Sequence, residues 1–234
     1  MKPYFFALLL LSTSCAELQQ VVNNLPQAGT IGVSDFDIAN GLRQALDKGI
    51  DKQVSKLTKP DGFYKNQLVK IVLPAELQKV DKTLRDIGLS KLADEGLKVL
   101  NRAAEDAVKE ATPIFVNAVK QITFADARQI LTGSDNAATN YLERRTTSSL
   151  YQKFSPVINS SLSKVGADKV WASIISRYNA VPFTTNVNPD LTDYVTNQAL
   201  DGVYKMIAVE EKQIRTSIQA RTTDLLKRVF ALQD

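Results

Sequence analysis

Apolar residues recur at helical spacing along most of the chain, most clearly between Leu97 and Gly133. There they fall at Leu97, Leu100, Ala104, Ala107, Val108 and Ala111, and again at Ile114, Phe115, Ala118, Val119 and Ile122. Gaps of three and four are the α-helical period, held here for about seven turns. Pro113 lies inside that period, and its ring removes one hydrogen bond and displaces a carbonyl, so a kink is expected there. Ser90 is the expected cap of this central helix.

The flanking segments carry shorter stripes. Ser34 followed by Asp37 is a capping-box arrangement, and Ala39, Leu42, Leu46, Ile50, Val54 and Leu57 continue it as a helix. Lys59-Pro60-Asp61-Gly62 reads as a turn. Phe63 to Leu73 is ambiguous between a short helix and a brief strand. Pro74 suits the first turn of a helix over Ala75–Ile87, with Leu77, Val80, Leu84 and Ile87 inward and Gly88 at its end. Thr123 and Asp126 form a second capping box, opening a short helix that Gly133 ends. Asp135 opens a longer helix past Tyr141, Leu150 and Phe154, kinked or split at Pro156 and stopped at Gly166. Asp168–Asn179, a helix opened by Asp190 and a last one capped by Thr222 complete the series, with a loop over Pro182–Pro189. These elements add up to an all-α fold: a single bundle of roughly eight to ten helices, kinked at Pro113 and Pro156.

The first residues follow a different pattern. Lys2 precedes an apolar run from Tyr4 to Leu11, then Ser12-Thr13-Ser14 and Cys15. A positive start, a short apolar stretch and small residues before a cleavage point are the layout of a secretory signal. The run is far shorter than the roughly 20 residues that span a bilayer. Its end resembles a bacterial lipoprotein box, in which the cysteine becomes the acylated first residue of the mature protein. Each buried acyl CH2 contributes about 0.8 kcal/mol, so several chains hold a folded body on a membrane. The expected organisation is a signal peptide over 1–14, a lipid-anchored tether over 15–33 attached through Cys15, and a helical domain over 34–234. A secreted protein with a free thiol at its new terminus is the alternative.

Composition narrows the chemistry. The 234 residues contain no histidine, and Cys15 is the only cysteine. A Cys/His zinc site, a Ser-His-Asp triad and an internal disulfide are therefore excluded for a single chain. No metal or cofactor is expected, and acid–base chemistry would have to use Asp, Glu, Lys or Tyr. The net charge of +4 falls to +3 once Lys2 is removed with the signal, and the basic residues are interleaved with acidic ones. No nucleic-acid footprint is visible.

Two readings compete for the polar positions near the central stripe. Asn101 and Glu105 could line a pocket with Asp126, Arg145 and Asp201. The reading favoured here is a satisfied buried network that pins helix register, because an unpaired buried amide or carboxylate costs a few kcal/mol. Arg102, Asp106 and a Glu105/Lys109 pair are expected to be solvated. Asn197, Asp201 and Lys205, with Asp193, line one helical face and could bind a cation, although a solvated face is the simpler account. Arg144-Arg145 with Thr146-Thr147-Ser148-Ser149 could grip an anion or form an exposed face. Thr184-Thr185-Asn186 is a lid candidate only by length. Tyr141, Tyr151, Trp171, Tyr178, Phe183, Tyr194 and Tyr204 could form an aromatic wall, but at helical spacing they belong to a core.

Several segments together resemble the bacterial domain-of-unknown-function family 4197. They include Gly41-Leu42 with Ala45-Leu46, Asp61-Gly62-Phe63, Leu73-Pro74, Asn101-Arg102-Ala103-Ala104-Glu105 and Pro113-Ile114-Phe115. Asp126-Ala127, Ile130-Leu131, Gly133 and Ala137-Ala138-Thr139 follow, then Ala199-Leu200-Asp201-Gly202 and Arg221-Thr222-Thr223-Asp224-Leu225-Leu226. The resemblance covers most of residues 35–231 and implies an all-helical bacterial envelope protein, often lipid-anchored, with no activity attached. The functional expectation is a binding, scaffolding or assembly role in the cell envelope, on the periplasmic side of the outer membrane if the source is Gram-negative, with an envelope protein as a possible partner. The alternative is a periplasm-facing small-ligand binder or a metal-independent enzyme using carboxylate, Lys or Tyr residues. A third reading is a helical module that offers a groove to a partner helix.

Overall fold

Ser34 opens the first helix as its spacing requires: its hydroxyl accepts from the Asp37 amide at 3.1 Å, and the Asp37 carboxylate accepts from the Ser34 amide at 3.2 Å. This computed structural model describes residues 32–234 apart from 75–77, 181, 184 and 185, and apart from the side chains of 79, 80, 83 and 84. The signal, the tether up to Ile31 and Cys15 lie outside the described residues, as do Leu77, Thr184, Thr185 and the side chains of Val80 and Leu84.

The helices, in chain order, are α1 (Asp35–Leu57), α2 (Gln78–Asp86), α3 (Ser90–Val108), α4 (Ala111–Lys120) and α5 (Phe124–Leu131). Next come α6 (Ala137–Ser163), α7 (Ala167–Asn179), α8 (Leu191–Thr216) and α9 (Asp224–Phe230). Short 3-10 turns at Ile218–Ala220 and Ala231–Gln233 flank α9. No strand occurs among the described residues, and the expected all-α bundle is what forms. Residues Ser34–Asp234 pack as one unit. The long helix α8 lies against α6, α1 and α3, and α1 also contacts α4, α5 and α9. Their shared faces bury Leu42, Ile50, Phe115, Leu142, Leu150 and Phe154 at 2% exposure or less. Apolar area removed from water in this way is the main stabilising term, at about 25 cal/mol per Å2.

Proline acts differently at its two sites. The long central stripe is two helices, not one kinked helix: α3 ends at Val108 and α4 starts at Ala111. Pro113 then sits in the first turn of α4, where its missing N–H has no intrahelical partner to lose. The interruption falls at Lys109–Glu110 because the ring of Pro113 excludes the carbonyl four residues earlier. By contrast, α6 runs through Pro156 as one helix, with Phe154 and Ile158 fully buried on either side.

Several helix starts shift by a residue or two. Ser90 is the first helical residue of α3, and its predecessor Leu89 makes no side-chain cap. Asn136, not Asp135, precedes α6. Thr223, not Thr222, caps α9 by accepting from the Leu226 amide at 3.3 Å, while the Thr222 hydroxyl accepts from Lys48 at 3.0 Å. Ile87, expected inward, is 65% exposed. The Phe63–Leu73 segment is neither helix nor strand but a series of turns, among them Asn66 carbonyl bonds from the Val69 and Lys70 amides. Two glycines let this irregular segment pack. A Cβ on Gly62 would stand 2.5 Å from the Lys56 and Leu57 carbonyl oxygens, and one on Gly202 of α8 would stand 2.7 Å from Phe63.

Candidate functional site

The five polar residues singled out from the sequence fall into three separate places. Asn101 and Glu105, on α3, both reach the irregular segment before α2. The Asn101 amide accepts from the Ile71 N–H at 2.8 Å and donates to the Ile71 carbonyl at 2.8 Å, with a further donation to Leu97 at 2.7 Å. Asn101 thus pairs with Ile71 as a neighbouring strand would, and it is fully buried. Glu105 accepts from the Phe63 amide at 3.1 Å and from Arg102 at 2.6 Å. Arg102 in turn pairs with Asp61 at 2.6 Å, so it is not simply solvated, and Lys109 pairs with Asp106 rather than Glu105. Every polar atom of this pair is occupied within the fold, which is the register-pinning network expected from burial.

Asp201 belongs to the exposed face of α8. It pairs with Lys205 at 2.6 Å, each about half exposed, beside a groove between α6 and α8. Asp193 is held by Tyr151 at 2.6 Å and by Asn188 and Asn197, which ties the 186–190 loop down. That hydrogen bond pushes the Tyr151 phenol up to about 12.

Asp126 and Arg145 do come together. They line a cleft of about 440 Å3 between α5 and α6, with Gln129, Asn140, Tyr141 and Arg144. Each wall has a local cause. The α5 wall starts at the Thr123–Asp126 capping box, in which Asp126 accepts from the Thr123 amide at 3.0 Å and hydroxyl at 2.7 Å. Those bonds, backed by the charge of Arg145, hold the Asp126 carboxyl below its usual range and keep it ionised. The α6 wall places Tyr141, Arg144 and Arg145 together through i,i+3 and i,i+4 spacing.

The corner between the walls is fixed from behind by α8. Glu211 accepts from the Ala138 and Thr139 amides at 2.9 and 2.8 Å, capping α6 from another helix. Arg215 pairs with Glu211 at 2.8 Å and donates to the Leu131 and Ile130 carbonyls at 3.1 and 2.8 Å, capping the end of α5. Anion at a helix start and cation at a helix end is the arrangement that the helix dipoles favour. Both side chains are at most 6% exposed. Sequence reading passed over them; the signal was a Glu-Glu pair running on from the apolar stripe of α8, with Arg215 one turn beyond Glu211.

Within the cleft one hydroxyl proton lacks an acceptor. Tyr141 is 5% exposed, and its buried hydroxyl makes no hydrogen bond of ordinary geometry. Burial pushes this phenol up and the Asp126 charge adds to the rise, while the charge of Arg145 and a weak hydrogen bond from its guanidinium oppose it. The Arg145 guanidinium carbon stands 5.5 Å from the centre of the Tyr141 ring, in cation–π range. Neither Arg144 nor Arg145 forms an ion pair among the described residues. The hydroxyls after them are not part of this site: Thr146 and Thr147 bond the Tyr204 phenol at 2.8 and 3.1 Å. Among the aromatics, Trp171 and Tyr194 stack at 5.7 Å, and Phe183 is fully exposed, so no single aromatic wall forms.

Among the described residues, fold and site together define a helical domain with a cationic cleft at a helix corner. The chain belongs to the family described as "Protein of unknown function (DUF4197)", which matches residues 32–231. No curated protein and no solved structure matches it.

Proposed function

We propose that this is a lipid-anchored protein of the bacterial envelope that acts by binding, with the α5–α6 cleft as its ligand seat. The observation that carries the binding role is the buried Tyr141 hydroxyl between Asp126 and Arg145, whose O–H has no acceptor. Leaving such a group unsatisfied costs about 1–3 kcal/mol, a cost that a bound ligand removes. The Glu211–Arg215 staple supports the same reading, since a site works best when its walls are held in place before the ligand arrives.

The anchor rests on Cys15 and the pattern before it. No described helix is long and apolar enough to cross a membrane, so attachment through an acyl group on Cys15 is the route this reading requires. Metabolic labelling with an alkyne fatty acid tests it: label on the parent and none on Cys15→Ser supports the anchor, and an unlabelled parent removes it. The binding role is tested by thermal shift of the full chain against a panel of anionic, neutral and cationic small molecules, with Tyr141→Phe as control. A shift that disappears in the variant supports the seat; no shift from any compound ends it.

A further inference from the structure

We infer that the ligand of this cleft is an oxyanion of the phosphate class, either inorganic phosphate or a phosphomonoester group. The inference rests on the reading of the cleft as a ligand seat and adds the chemistry of what fills it.

The donor set decides the class. Arg144 and Arg145, consecutive on one turn of α6, line one cleft and carry no ion pair among the described residues. Each guanidinium offers about five N–H donors in a planar fork that matches phosphate oxygens two at a time. The Tyr141 hydroxyl is a third donor on the same wall, with no acceptor for its proton because Arg145 can only donate to it. The single carboxylate among the described lining residues, Asp126, is held by Thr123 through Oδ2 and is outnumbered by the two guanidiniums, so the cleft is net positive.

The backbone is not the binder. The first amides of α6 that could hold an anion, at Ala138 and Thr139, are taken by Glu211. Recognition therefore falls to side chains, led by the two guanidiniums and the Tyr141 hydroxyl, with the amides of Gln129 and Asn140 also on the walls. Three donor groups call for three acceptor oxygens, which a phosphomonoester presents and a carboxylate does not. The cleft volume of about 440 Å3 leaves room for a small organic group beyond the phosphate.

Two sources carry this chemistry: a free phosphate compound, or a phosphomonoester on a lipid headgroup. The test uses the full chain. Isothermal titration compares inorganic phosphate, glycerol 3-phosphate, citrate, a neutral sugar and spermidine. Sedimentation then compares phosphatidylcholine vesicles with and without phosphatidic acid, using Cys15→Ser so that acylation does not hold the protein to both. Saturable binding of phosphate or glycerol 3-phosphate, at least tenfold weaker in Arg144→Gln/Arg145→Gln and weakened in Tyr141→Phe, supports the inference with a free ligand. Binding to phosphatidic acid vesicles alone, with the same dependence, supports it with a lipid one. If citrate, the sugar or spermidine binds in a Tyr141-dependent way and neither phosphate source does, the phosphate inference falls and the ligand seat stands. If phosphate binds equally to the parent and to Tyr141→Phe and the double-arginine variant, the inference falls as surface electrostatics. If nothing on the panel binds, the seat and the inference fall together. Tyr141→Phe removes one oxygen and both arginines are exposed, so these variants fold and loss of binding is readable.

Discussion

Asn101 and Tyr141 are both buried polar side chains, and they make opposite predictions. Asn101 satisfies the Ile71 N–H and C=O at 2.8 Å each, so Asn101→Ala strands two backbone groups in the core. Orphaning buried partners costs about 1–3 kcal/mol each, and a loss on the order of 3 kcal/mol is expected in urea denaturation. Asn101→Asp should be worse at neutral pH, because it sets a carboxylate against the Ile71 and Leu97 carbonyls. A change under about 0.5 kcal/mol for Asn101→Ala, ordinary for a surface site, would sink the network account. Tyr141 has nothing to strand. Tyr141→Phe deletes an unsatisfied hydroxyl and should leave the ligand-free protein as stable as the parent, or more stable by up to about 1 kcal/mol. A clear drop in its unfolding midpoint would mean that the hydroxyl is bonded inside the fold, and would remove the basis of the ligand seat. What the sequence showed of these residues was their place on an apolar stripe, which signals burial. It could not show the partners, because Ile71 and Phe63 contribute backbone atoms, which every residue carries and no residue type advertises.

At the scale of elements, helix period and local caps were legible, and long-range caps were not. Ser34–Asp37, Thr123–Asp126 and Asp190 all cap as their local spacing indicates, since each bond closes within three residues. The start of α6 has no such signal, because its cap arrives from Glu211, 73 residues away from Ala138. The break at Lys109–Glu110 was misplaced for a related reason: proline punishes the carbonyl four residues before it, not its own position. The Glu211–Arg215 staple predicts a specific pattern of coupling. Glu211→Ala leaves Arg215 buried and unpaired, which costs about 3–5 kcal/mol. Glu211→Leu combined with Arg215→Met removes both charges, so the double variant should be less damaged than the two single losses added together. Additive losses in that cycle would show that the two side chains do not act as a unit. Close helix approach gives a second element-scale test. A Cβ on Gly41 of α1 would lie 2.8 Å from Val229 of α9, and one on Gly202 would lie 2.7 Å from Phe63. Each Gly→Ala change should cost about 1–3 kcal/mol by overpacking, although alanine is the better helix former.

For the molecule as a whole, the ionisable groups set the pH range in which the bundle stands. Asp37, Asp61, Asp126, Asp168 and Asp234 are all held below the usual 3.8 by hydrogen bonds, from Ser34, Lys65, Thr123, Ser163 and Arg221 respectively. For a depressed carboxyl the unfolded chain takes up the proton first as acid is added. Its stabilising contribution is therefore complete above 3.8 and is lost as the pH falls through the lower folded value. Asp47 is pushed up by desolvation and works the other way, but one group against five does not reverse the sign. At the alkaline end Tyr141, Tyr151 and Tyr204 are raised above 10.0, with Tyr151 near 12. Here the folded state keeps the proton longer, so the contribution is complete below 10 and is lost as the pH climbs through the folded values. The unfolding temperature should thus be level from about pH 5 to 9 and fall on both sides. The alkaline limb should flatten in Tyr151→Phe, and the acid limb in Thr123→Ala, which frees Asp126 to titrate as it does when unfolded. An acid limb that begins near pH 6 would contradict this assignment. With no histidine in the chain no ordinary side chain titrates there, and a carboxyl raised in the folded state, as Asp47 is, gains stability as the pH falls rather than losing it.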